Sequence, residues 1–164
     1  MRALSHAQLV DLGARWMRRE GFGVVATEVV AVGCREQADV IGFRATCSAV
    51  IEAKASRADF LADRAKPHRR TGGLGLYRFF ACPEGLIDSA ELPVGWGLLY
   101  ATPRALRAVV RPPGNIWPRR GAAGAAWEVF QHHPDDSAER SVLYSVARRL
   151  AGQVGIVRGR SNKP

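Results

Sequence analysis

Between residues 4 and 20 the apolar positions Leu9, Leu12 and Trp16 fall three and four apart, the stripe of a single helical face. Ser5 and Gln8 stand in front of them at capping-box spacing, and Gly21 stands where such a helix would stop. The pattern predicts a helix over 4–20. The periodicity then shortens. FGVVATEVVAV (22–32), QADVIGF (37–43) and SAVIEAK (48–54) are β-branched runs of strand length. The link RATC (44–47) is short enough to make the second and third of them a hairpin.

Ser56 and Asp59 repeat the capping-box spacing and open a helix through about Lys66, where Pro67 ends it. RTGGLG (70–75) reads as a flexible loop without the Gly-Lys-Ser/Thr ending of a phosphate-binding loop. YRFFACP (77–83) is a fourth strand, and WGLLYAT (96–102) with ALRAVVR (105–111) forms a closing hairpin. Residues 112–126 read as a long surface loop, and WEVF (127–130) as a short strand or a docked segment. Asp136 is expected to cap a last helix, with Glu139 at its third position and Val142, Leu143, Val146 and Leu150 facing inward. Helix, three strands, helix, strands, helix is an α/β order: a mixed central sheet flanked by helices. One domain over 1–157 is expected, followed by a basic, disordered tail at 158–164 (RGRSNKP).

Composition narrows the class. The 164 residues are 47% hydrophobic, enough for a sizeable core, and no apolar run approaches the roughly 18 residues of a membrane span. MRALSHAQLVDLG lacks the apolar centre of a signal peptide. Cys34, Cys47 and Cys82 have neither zinc-ribbon nor disulfide-framework spacing, which suits free thiols in a reducing cytosol, so a cytoplasmic location is expected. Lys and Arg number 24 against 15 Asp and Glu, a net charge of +9. That balance favours polyanionic partners, with nucleic acid first and acidic membrane surface second.

The second and third strands carry charge where a core strand should have none. Glu52 and Lys54 are two apart and so share a face, while Ile51 and Ala53 take the other. With so short a hairpin link, Asp39 at the start of one strand lies beside the end of the next. Two carboxylates and an amine can therefore converge at one end of the sheet. At about 4 Å two carboxylates repel by roughly 4 kcal/mol at an effective dielectric near 20. A divalent cation removes that penalty, and oxygen ligands suit Mg²⁺ or Mn²⁺. Such an ion polarises a phosphoryl oxygen and acidifies water, and an adjacent ammonium stabilises charge on phosphate. The pattern points to phosphodiester hydrolysis.

ADV followed by VIEAK resembles the PD-(D/E)XK nuclease superfamily. Within it the chain is most similar to the MmcB-like DNA-repair group, on GFGVVATEV, QADVIGF, VIEAKASRADFLAD, YRFFACPEGLI and LPVGWGLLYAT in that order, across roughly residues 5–110. The resemblance implies a restriction-endonuclease-like α-β-β-β-α-β core and a Mg²⁺- or Mn²⁺-dependent deoxyribonuclease leaving a 5′-phosphate. It puts Asp39, Glu52 and Lys54 in the catalytic motif positions. It adds the Ala53 backbone carbonyl to Asp39 and Glu52 as a metal ligand, and matches Glu28 to an upstream acidic position. Residues 116–134 match no part of the group.

Other candidates are weighed against plainer roles. Lys66, His68, Arg69 and Arg70 follow the second helix and could hold the phosphates flanking a scissile bond, or form a solvated charge run. Asp59 reads as a cap and Asp63 as a salt-bridge partner. His132 and His133 read as loop residues, Trp16, Trp96 and Trp127 as core, and Trp117 as a packing residue before a base-stacking one. DNA is the expected partner, and cleavage of both strands of a duplex would suit a homodimer. Two alternatives belong to other classes: a catalytically silent nucleic-acid-binding module of the same fold, and a phage or defence factor that binds an acidic protein.

Overall fold

The first helix forms as its capping box dictates: α1 spans His6–Arg19, with the Gln8 N–H donating to Ser5 Oγ and the Ser5 N–H to Gln8 Oε1. The structure, a computed structural model, describes residues 4–63 and 72–155. Helix α1 buries Leu9, Leu12, Trp16 and Met17 against the sheet. Gly13 permits the approach, since a Cβ there would meet Val40 Cγ2 at 3.0 Å.

Six strands follow: β1 (Val24–Thr27), β2 (Val40–Phe43), β3 (Ser48–Ala53), β4 (Tyr77–Pro83), β5 (Trp96–Ala101) and β6 (Leu106–Val110). They lie in the sheet in chain order. β3, β4 and β5 run parallel, and the remaining neighbours are antiparallel. Helix α2 (Arg57–Asp63) precedes β4, and α3 (Ala125–Glu128) and α4 (Asp136–Val154) close the chain. The sheet is covered on both faces. Ile51, Ala53, Phe79 and Ala81 meet α1 on one side; on the other, Phe60 of α2 packs with Phe80 and Trp96, and Val142 and Val146 of α4 with Ile41 and Val50.

Several expectations are corrected. The first strand ends at Thr27 rather than continuing to Val32, because Glu28 takes a left-handed φ of 50° that breaks the extended run. Asp135, not Asp136, caps α4, accepting the Ser137 and Ala138 N–H groups at 2.9 and 3.0 Å. The buried seam of that helix runs through Ala138, Val142, Ser145 and Val146, which rotates Leu143 and Leu150 to solvent (40% and 54% exposed). Of the two readings of WEVF the structure forms the docked segment, not the strand: Trp127 belongs to the single turn α3 and is buried. Within the long loop, Trp117 is buried beside Trp16, Phe22, Tyr77 and Trp127, with ring centroids 5.0–6.2 Å away. The loop is therefore a lid on the core of the α1 side. The basic tail at 158–164 lies outside the described residues.

The glycine loop is fixed where it is described. The Leu74 N–H donates to Glu36 Oε2 at 2.6 Å, Gly75 N–H to Glu139 Oε1 at 2.8 Å, and Leu76 N–H to Ser48 Oγ at 3.0 Å. Arg78 Nε donates to the Gly75 carbonyl at 3.0 Å, and its guanidinium also reaches the Gly72 carbonyl. The Leu74, Gly75 and Leu76 amides are thus committed to two carboxylates and a hydroxyl.

Burial holds the Glu139 carboxyl above its ordinary pKa, against the opposing pull of its bonds to Ser48 and Gly75. A raised carboxyl pKa contributes stability at low pH, and that contribution is lost as pH rises through the folded value. Glu139→Gln keeps an acceptor for both donors and never ionises. Its urea midpoint is expected above wild type near pH 7 and converging with it toward about pH 4. A gap that widens on acidification would show that the carboxylate form is the favoured one.

Candidate active site

The hairpin register decides where the charges fall. Val40 lies opposite Ile51, so one step further along both chains Asp39 stands opposite Glu52. Asp39 Oδ2 accepts the Ala53 N–H at 2.7 Å, taking the ladder place that a backbone carbonyl would fill. The Asp39 carbonyl in turn accepts the Glu28 N–H at 3.0 Å. A strand residue directs its N–H and C=O to the same neighbour, so the Ala53 carbonyl is turned toward the Asp39 side.

Glu52 and Lys54 share the face covered by α2, as alternation requires. Lys54 Nζ lies 3.5 Å from Glu52 Oε2 and 3.1 Å from Asp63 Oδ1, with the side chains of Lys54, Glu52 and Asp63 only 6%, 3% and 1% exposed. Asp63 is thus the salt-bridge partner expected of it, and the lysine is the group it holds. Phe60 fixes α2 here by an edge contact on Phe80, with centroids 5.3 Å apart, and Lys54 Nζ sits 5.9 Å from the centre of the same Phe80 ring.

A second group of side chains surrounds Asp39. His6, the first residue of α1, places Nε2 3.4 Å from Asp39 Oδ1 and 3.9 Å from Glu28 Oε1. Asp39 is mostly covered, whereas His6 and Glu28 are 42% and 57% exposed. Glu28 reaches this end of the sheet because its left-handed turn is held by the Asp39 carbonyl and by a bond from Gln37 Nε2 to its own carbonyl. No motif marked His6. Its only sequence signal was a histidine directly after a helix cap, and its contact with Asp39 is tertiary.

The site therefore has a buried part (Glu52, Lys54, Asp63) and an accessible part (His6, Glu28, Asp39), joined through the Ala53 backbone. Among the described residues no group of three or more His, Cys, Asp or Glu side chains is arranged to hold a metal ion. The donor set in question is smaller and different in kind, two carboxylates and a backbone carbonyl. All are hard oxygens, which fit Mg²⁺ or Mn²⁺. Lys66, His68, Arg69 and Arg70 lie outside the described residues. His132 is half-buried beside Trp96 with its Nε2 3.1 Å from the Gly95 carbonyl, and desolvation pushes its pKa down to about 4.

No family model matches the chain, and no curated protein matches it. One solved structure is similar over most of its length. It is SPO1766, a protein of unknown function from Silicibacter pomeroyi, 28% identical with a TM-score of 0.57 over 94% of each chain. The architecture thus recurs in another solved chain. No helix among the described residues is long and apolar enough to cross a membrane.

Removing the ammonium from between two buried carboxylates takes a cationic partner from each. Lys54→Met is expected to lower unfolding stability by about 3–5 kcal/mol in urea titration. Adding Asp63→Asn should recover part of the loss, because Glu52 keeps its charge. A single variant within about 1 kcal/mol of wild type would mean the pair is solvated rather than buried.

Proposed function

We propose that the chain is a Mg²⁺- or Mn²⁺-dependent deoxyribonuclease of the PD-(D/E)XK type, with a restriction-endonuclease-like core. The observation that carries this reading is the bond from Ala53 N–H to Asp39 Oδ2, one residue from the buried Glu52–Lys54 pair. It sets an aspartate, a glutamate and a lysine at one sheet end in the order the motif requires. The element order from α1 to β4 supports it as well.

Asp39, Glu52 and the Ala53 carbonyl would hold the cation, which when bound supplies Lewis-acid activation of the phosphate and a more acidic water. Lys54 contributes a donor. Its ammonium has three N–H bonds and two carboxylate partners, Glu52 and Asp63, which leaves one N–H for the attacking water or a phosphate oxygen. Asp63 fixes the direction of that donor. Hydrolysis joins the water oxygen to phosphorus as the P–O3′ bond breaks, and the 3′ oxygen takes up a proton, leaving a 5′-phosphate. The burial of Glu52 and Lys54 favours a second reading, a catalytically silent nucleic-acid-binding module in which the pair is structural.

Titration with Mn²⁺ and incubation with plasmid DNA separate the two. An ion that binds the native state only stabilises it by about 2.7 kcal/mol at a hundredfold excess over Kd. Wild type is expected to gain melting temperature and nick the plasmid, whereas Asp39→Asn should lose most of the gain and cleave at least about 100-fold more slowly. A melting temperature indifferent to Mn²⁺, together with intact plasmid, would overturn the nuclease reading, and binding of that DNA would then favour the silent module.

A further inference from the structure

Helix α4 carries two parallel ridges at four-residue spacing. Ser137, Ser141 and Ser145 form one, and Arg140, Tyr144 and Arg148 form the other. Together with Val32 they line a groove of about 510 Å³. Its far wall is the loop after β1. Gly33, with a φ of 91°, lies so near the serine ridge that a Cβ there would meet Ser141 Oγ at 3.0 Å. The Ser141 hydroxyl is already satisfied by the Ser137 carbonyl at 3.0 Å.

The other ridge is turned outward. Arg140 and Arg148 are exposed, and the Tyr144 ring between them is 68% exposed. No carboxylate lines the groove, and Glu139 is directed instead to Ser48 and Gly75. The two guanidinium-bearing residues are eight positions apart, about 12 Å along the axis. An exposed ring between two cations along a groove is the pattern that takes a nucleic-acid strand, with phosphates on the cations and a base on the ring. Charge agrees, since the chain carries +9. Position agrees too. Arg149 donates to the Val30 carbonyl at 3.2 Å, tying this half of α4 to the loop that begins at Glu28, beside His6 and Asp39.

We propose that this face of α4 binds a single DNA strand, with phosphates on Arg140 and Arg148 and a base stacked on Tyr144. The assignment rests on DNA being the substrate, and it locates a path for the strand on described residues rather than on Lys66–Arg70.

The test is fluorescence anisotropy with labelled single-stranded and duplex oligonucleotides, in EDTA so that no cleavage intervenes, on wild type, Arg140→Ala/Arg148→Ala, Tyr144→Ala and Tyr144→Phe. The double arginine variant should shallow the slope of log affinity against log salt by about 1.4 on single strands, roughly 0.7 per lost phosphate contact. Tyr144→Ala should weaken single-strand binding by roughly 5- to 150-fold, with Tyr144→Phe close to wild type and duplex affinity little changed. All substituted groove positions are exposed, so folding should survive. Unchanged affinity and slope in both the arginine and the Tyr144→Ala variants would overturn the proposal, as would a wild type that binds no DNA. So would a changed sedimentation coefficient with unchanged DNA affinity, which would make the face a contact between copies of the chain. A wild type that binds the strand through this face yet leaves it intact with Mn²⁺ would keep the groove and remove the nuclease reading alone.

Discussion

One hydrogen bond fixes the geometry of the candidate site. Where β2 runs out, the ladder between β2 and β3 continues for one more rung through a side chain, Asp39 Oδ2 to Ala53 N–H. A slip of one residue in this hairpin would send Glu52 and Lys54 to the α1 face, into Trp16 and Met17, and bring Ile51 and Ala53 to α2. The apolar content of both faces forbids that slip. Core packing thus sets the register, the register aligns Asp39 with Glu52, and the carboxylate oxygen locks the alignment from outside the strand.

The parts legible in the sequence were those governed by local rules. The capping box at Ser5, the hairpin link at 44–47 and the strand at 77–83 each follow from a few neighbouring residues, and the structure forms them within a residue or two. The shared face of Glu52 and Lys54 follows from alternation alone. What was not legible depends on tertiary contact. Val29 to Val32 have strand propensity, but the turn at Glu28 takes them out of the sheet. The glycines at 72–75 read as freedom, whereas the structure pins this stretch with Glu36, Glu139, Ser48 and Arg78, residues up to 64 positions away along the chain. His6 approached Asp39 across 33 positions with no motif to announce it.

The two ends of the site differ in what they can tolerate. Lys54 is held by Glu52 and Asp63 inside the fold, so its position is as rigid as the packing of Phe60 on Phe80. Asp39, Glu28 and His6 sit at the margin, where water and ions reach them. A buried anchor beside an accessible rim gives directional stiffness: the lysine keeps its aim while the rim adapts to what arrives.

The sheet order has a consequence for how the molecule comes into being. Because β1 to β6 are neighbours in the order in which they are synthesised, each strand meets its partner as soon as it leaves the ribosome, and no strand has to be threaded between two already paired. Contacts of short sequence separation favour rapid folding. Every residue assigned to the candidate site from His6 to Asp63 is made before β4, so the nascent chain can assemble the α1–β1–β2–β3 end while the Arg-bearing helix α4 is still to be translated.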